Sequence, residues 1–201
     1  MAALRPRPSR GALGLHDPRL TFDPDRERAL GYLREFVPSD ADQARARVQI
    51  MRWILAKQHP FERRQTDGHV TASALVIDAA GERALLTHHA KLDRWLQFGG
   101  HADGDANLAG VALRESIEES GIDDLVIEPR VVDVDVHTIP ARGDEAEHLH
   151  LDVRFLVWAP EGAKPVKSEE SHALAWVAAD AQGGYALDPS VVRLFELARS
   201  R

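Results

Sequence analysis

The sequence predicts an α/β/α sandwich around a mixed β-sheet, preceded by an N-terminal helical hairpin. Three observations point there. From His69 onward, stretches of small and β-branched residues punctuated by turn residues alternate with single helices. Residues 132–137 and 148–155 alternate apolar and charged side chains with period two, the mark of strands with one face on a core. Residues 21–65 instead carry apolar residues at helical spacing. A chain of 201 residues suffices for one domain with its own core plus such an extension.

Composition narrows the function classes. A net charge of -7 argues against a surface that coats nucleic acid, since that binding depends on basic contacts to phosphates. The cysteine count of 0 excludes a disulfide framework, a thiolate nucleophile and a cysteine zinc site, and fits a cytoplasmic protein. No apolar run approaches a membrane span, so neither nucleic acid nor membrane is an expected partner. Residues 1–20 open with MAALRPRPSRGALG, basic and rich in Pro and Gly without an apolar segment. They read as a disordered or extended tail and not a secretory signal; an Arg-rich, acid-poor transit peptide is the alternative.

Asp23-Pro24-Asp25 reads as a helix start, followed by Ala29, Leu30, Tyr32, Leu33 and Phe36 at helical spacing until Pro38. Ser39 with Asp42 reads as a cap for a second helix, whose stripe Ala44, Val48, Met51 and Leu55 is widened by Ile50 and Ile54 and closed by His59-Pro60. Trp53 falls on the far side. The pair forms a hairpin against the main domain of residues 66–201, with dimerisation (a homodimer) or substrate capping as its functional alternatives. HVTASALVID and ERALLTHH, separated by a turn over residues 78–81, read as a strand hairpin. A loop over residues 91–95 then leads through Leu96–Phe98 into Gly99-Gly100, where the backbone can approach a ligand closely. Trp95 and His101 flank this turn as candidate substrate contacts; Trp95 would stack on a base or plug the core.

The stretch GGHADGDANLAGVALRESIEESGI, residues 99–122, carries the chemistry. Glu115, Glu118 and Glu119 fall within a wedge of roughly 100° of one helix face, with Ala109, Leu113 and Ile117 opposite. Carboxylates at these spacings repel by a few tenths of a kcal/mol per pair and sit at the negative end of the helix dipole, so helix stability alone would not select them. They suit a hard divalent cation and a phosphate. Arg114 precedes Glu118 by four residues and is placed to orient it, and Gly121 suits the left-handed position after the last turn.

This stretch resembles the Nudix box: Gly100, Arg114, Glu115, Glu118, Glu119, Gly121 and Ile122 stand in its register. Two positions depart. Ala106 occupies a glutamate position, with Asp103 or Asp105 as candidate replacements, and Ser116 occupies an apolar one. The resemblance covers residues 68–201 and implies a Nudix-like α/β/α sandwich, a small nucleotide-type substrate and hydrolysis of the pyrophosphate bond in a nucleoside diphosphate linked to another moiety. It also implies Mg²⁺, with Mn²⁺ as alternative, held by Glu115, Glu118, Glu119 and the Gly99 carbonyl, with Glu118 or Glu170 as base. A Nudix-like binding module without turnover is the runner-up. An isopentenyl-diphosphate-isomerase-like enzyme would need a cysteine that this chain lacks.

Beyond the helix, the polar side of the two alternating strands gathers Asp133, Asp135, His137, His148, His150, Asp152 and Arg154. Two readings stand: a solvated outer face, or a substrate wall that includes His148, His150, Asp152 and Arg154. Glu170 lies in the loop six residues before Trp176, where the resemblance places an additional acid. Asp188-Pro189 starts a terminal helix with Val191, Val192, Leu194, Phe195 and Leu197 on its apolar side.

Overall fold

The computed structural model describes Leu4, Pro8 and residues 11–143 and 145–200. In chain order it contains β1 (Leu13–Gly14), α1 (Arg26–Glu35), α2 (Ala41–Ala56), β2 (Gly68–Ile77), β3 (Arg83–His89), β4 (Arg94–Leu96) and β5 (Phe98–His101). There follow α3 (Leu108–Ser120), β6 (Val126–Ile139), β7 (His148–Trp158), β8 (Ser171–Ala178) and α4 (Pro189–Ser200). The sheet runs β1-β6-β7-β2-β3-β4, with β5 on β2 and β8 on β3. β2 is its axis: every residue is buried, because both edges are paired and both faces covered. It runs parallel to β7 from Gly68↔Leu149 to Ile77↔Trp158. Its other edge is shared antiparallel between β5 over Thr71–Ala74 and β3 at Val76 and Ile77.

One apolar cluster, under α1, α2 and α3, joins Leu30, Leu33, Ile50 and Ile54 to Leu113, Val153 and Phe155. The other joins Leu75, Ile77, Leu86, Leu156 and Trp158 to Val191, Leu194 and Phe195 of α4. This is the predicted sandwich. Among the described residues no helix is long and apolar enough to cross a membrane.

The N-terminal part departs from expectation in three ways. Residues 11–20, read as tail, belong to the fold: Leu13 pairs with Ile127, and Leu13 and Leu20 are buried. The rest of the expected tail, apart from Leu4 and Pro8, lies outside the described residues. The caps shift. Asp25 caps α1, so Pro24 precedes that helix. Asp40 caps α2 by accepting from the Gln43 amide, while the Ser39 amide and hydroxyl donate to the Gln43 side chain, a capping box one residue removed from the Ser39–Asp42 pair. Finally, α2 buries Gln43, Ile50 and Ile54, while Val48 and Leu55 are 44% and 58% exposed. The inward turn of Gln43 accompanies its bond to the buried Asp133 carboxylate at 2.8 Å. A smaller departure is that β4 starts inside the expected loop, at Arg94.

Asp152 and Arg154, expected on a substrate wall, are buried instead. Arg154 is 1% exposed, and its guanidinium donates to Asp152 at 2.8 Å and to Asp133 and Asp135 at 3.1 Å each. Asp152 also accepts from the Thr71 and Ser73 hydroxyls, and Asp133 from Arg193 of α4. The sheet face is charged because these charges satisfy one another, not because water reaches them. Removing one partner strands the others, so Arg154→Leu should destabilise the protein by about 3–5 kcal/mol. Urea unfolding reads it; a loss below about 1 kcal/mol, the range of solvated pairs, would show that the network is wet.

Candidate active site

The loop before α3 is fixed from the N-terminal side. Asp105 is buried; its carboxylate accepts from the Asp23 and Asn107 amides, and its other oxygen lies 3.6 Å from Arg114. Asn107 donates to the Arg19 and Thr21 carbonyls and accepts from the Tyr32 hydroxyl. Ala106 is buried and its amide donates to the Asp23 carbonyl at 2.7 Å. Asp105 thus fixes the loop beside the position where the box has glutamate, whereas Asp103 pairs with Arg63 at the rim. The recorded ion pair of Arg114 is with Asp105, not with the Glu118 that helix spacing suggests.

Helix α3 buries a broader face than its apolar spacing shows, including Ser116, whose hydroxyl returns to the Ala112 carbonyl at 2.7 Å and so leaves no polar group unpaired. Gly121 takes the left-handed conformation, φ 65°, and its amide closes the helix on the Ile117 carbonyl. The glutamates on the other side differ in burial: Glu119 is 8% exposed, Glu115 half-buried and Glu118 exposed. The Gly99 amide donates to Glu119 Oε1 at 3.4 Å. A Cβ on Gly100 would run into the Glu115 carboxylate, so that glycine lets α3 close on β5, while one on Gly99 would run into Ser73, so that glycine lets β5 pair with β2. Glu170 sits on the exposed turn before β8, its carbonyl accepting from the Ala90 amide at 2.9 Å, and its charge acts on both Glu115 and Glu119. Burial, then the Glu118 charge, raises the Glu115 carboxyl to about 7, with Arg114 opposing. Burial raises Glu119 to about 8 against the pull of the Gly99 amide, with Glu115, Glu170 and Glu118 adding. The structure therefore brings Gly99, Glu115, Glu118, Glu119 and Glu170 together, with Arg114 at their edge.

Adjacent strand residues face opposite ways. Gly100 faces Glu115, and His101 turns to the other side of the sheet, where its ring lies 4.8 Å from His69 and 5.2 Å from His150. His148 and His150 are half-buried there; the His148 Nδ1 lies 2.9 Å from the Ala146 carbonyl, and the two Nε2 atoms are 3.3 Å apart. Burial leads in lowering His69, His101 (to about 4) and His150 (to about 2), with neighbouring imidazoles adding. His137 moves up because Asp135 accepts from it. Trp95, a candidate base stacker, packs in the α4 core instead, one ring face on His88 at 5.0 Å and Tyr185 against its edge at 5.1 Å. Sequence reasoning missed His69 and Arg63: His69 enters only through the parallel register that sets it beside His150, and Arg63 through a loop contact 40 residues away.

Between pH about 4.5 and about 8 the folded protein holds protons on Glu115 and Glu119 that the unfolded chain has released, so these groups lower stability as pH rises through that window. In chelator, the melting temperature of the parent relative to Glu119→Gln should fall from about pH 5 to about pH 8. A relative rise would contradict the raised pKa values.

A family model described as NUDIX domain matches residues 67–195. No curated protein matches the chain. Among solved structures, the C. elegans Ap4A hydrolase in a binary complex is 18% identical with a TM-score of 0.53, over 65% of this chain and 95% of that one. The E. coli dihydroneopterin triphosphate pyrophosphohydrolase is 19% identical with a TM-score of 0.50, over 63% of this chain and 92% of that one. At these identities the structures speak for the fold, and the family model covers most of the chain. The chain belongs to the NUDIX domain family.

Proposed function

We propose that the protein is a divalent-metal-dependent hydrolase of the pyrophosphate bond in a nucleoside diphosphate linked to another moiety. The observation that carries this reading is the convergence of Glu115, Glu119 and Glu170 behind the Gly99-Gly100 pair, with two of the carboxyls raised by burial and mutual repulsion. A cluster of partly buried carboxylates fits a hard cation, because all its donors are oxygen and a positive charge relieves their repulsion. Glu115, Glu118, Glu119 and the Gly99 carbonyl would hold Mg²⁺ or Mn²⁺. When bound, such an ion polarises phosphoryl oxygens and lowers the pKa of water.

The other roles fall to the chain itself. Glu118 or Glu170, both exposed, would take a proton from attacking water. Asp105 holds Arg114 and the loop, so that the backbone before α3 keeps its shape. His101, His148 and His150, which the sequence offers as substrate contacts, stand on the opposite side of the sheet from the glutamates, backed by the buried Asp152 and Arg154.

The test is a panel of dinucleoside polyphosphates, nucleotide sugars, NADH, ADP-ribose, oxidised nucleotides and coenzyme A, assayed with Mg²⁺ and with Mn²⁺. One substrate class should turn over, and Glu118→Gln and Glu119→Gln should each lower kcat by at least about 10²-fold with the fold retained. Asp105→Ala should cost far less than Glu119→Gln. Binding without turnover across the panel would favour a ligand-binding module, and parent-like rates in both Gln variants would end the carboxylate assignment.

A further inference from the structure

Five imidazoles meet at one end of the sheet, on the side that α4 covers further along: His69 of β2, His101 of β5, His137 of β6, and His148 and His150 of β7. We propose that His69, His101 and His150 form a second metal site, for a divalent transition ion of the Zn²⁺ class, across the sheet from the glutamates.

The geometry is that of a nitrogen cage. One ring nitrogen from each of the three residues lies within 4.8 Å of the others. His69 is 4% exposed, and neither of its ring nitrogens has a hydrogen-bond partner. A buried polar atom left in that state is destabilising, so it calls for an occupant. The Gln65 backbone approaches the ring without reaching hydrogen-bond geometry, and a carbonyl so placed commonly fixes the tautomer of a metal-binding imidazole. His148 borders the cluster. With Nδ1 turned to the Ala146 carbonyl, its Nε2 lies 3.3 Å from that of His150.

Donor chemistry separates the two sites. The neighbouring carboxylates are committed: Asp103 to Arg63, Asp152 to Thr71, Ser73 and Arg154, and Asp135 to His137 and Arg154. What remains is imidazole, which suits Zn²⁺, Ni²⁺ or Cu²⁺ and is a poor cage for Mg²⁺. An ion there would tie β2, β5 and β7 together beside the turn that presents Gly99 and Gly100.

The experiment strips the full-length protein with chelator and titrates it with Co²⁺, followed by its visible absorption, and with Zn²⁺ by calorimetry. The parent and Glu119→Gln should each take up a single tightly held equivalent with a cobalt band that Zn²⁺ abolishes. His101→Ala and His150→Ala should bind at least about 100-fold more weakly, with unchanged far-UV dichroism. X-ray absorption of the Zn²⁺-loaded parent decides the matter without any variant, a nitrogen-dominated shell supporting the site and an oxygen-dominated one overturning it. No cobalt band in the parent, or a band lost in Glu119→Gln and kept in the histidine variants, also overturns it.

Discussion

The close approach of α3 to β5 is the contact on which the rest of this molecule depends. It presses two carboxylates into a half-dry space against a glycine pair, near the end of a helix whose dipole disfavours them. Like-charge pairs cost a few tenths of a kcal/mol each and desolvation adds more. Opposing this, Leu108, Val111 and Leu113 are wholly buried on the same helix, each contributing about 1.5–3 kcal/mol. Packing wins, and the helix is held in a place its own charges resist.

That hold is shared with the N-terminal segment, which is part of the core and not an appendage to it. Leu20 lies so close to α3 that a side chain on Gly110 would strike its carbonyl. Asn107 is satisfied by the Arg19 and Thr21 carbonyls and by Tyr32, while Tyr32 meets Phe155 of β7 edge-on at 5.7 Å. The same residues that start α3 therefore anchor the chain ahead of the matched domain, and Asp105 takes up the structural duty beside Ala106.

Much of this was legible in the sequence, and what was not has a common cause. Glycines, acidic spacing and the period-two strands are local signals, so α3, its left-handed stop at Gly121 and the β6–β7 hairpin lie where spacing puts them. The inward turn of Gln43, the burial of Arg154 and the convergence of His69 with His150 depend on partners 90, 21 and 81 positions away respectively. A polar residue on an alternating strand looks the same whether it meets water or a buried counter-charge. Trp95 shows the same limit, since its neighbour Tyr185 comes from a distant segment.

The parallel pairing of β2 with β7 also dictates a history. Thr71 and Asp152 are 81 residues apart, so at a synthesis rate of about 5–20 residues per second the central strand emerges roughly 4–16 seconds before the strand that completes its long edge. During that interval a largely apolar stretch, AlaSerAlaLeuValIle, has only β3 and β5 to pair with, and non-local pairings of this kind make folding slow. The chain consequently reaches its native topology only once β7 has been made, and an interruption between α3 and β7 would leave that edge of β2 open.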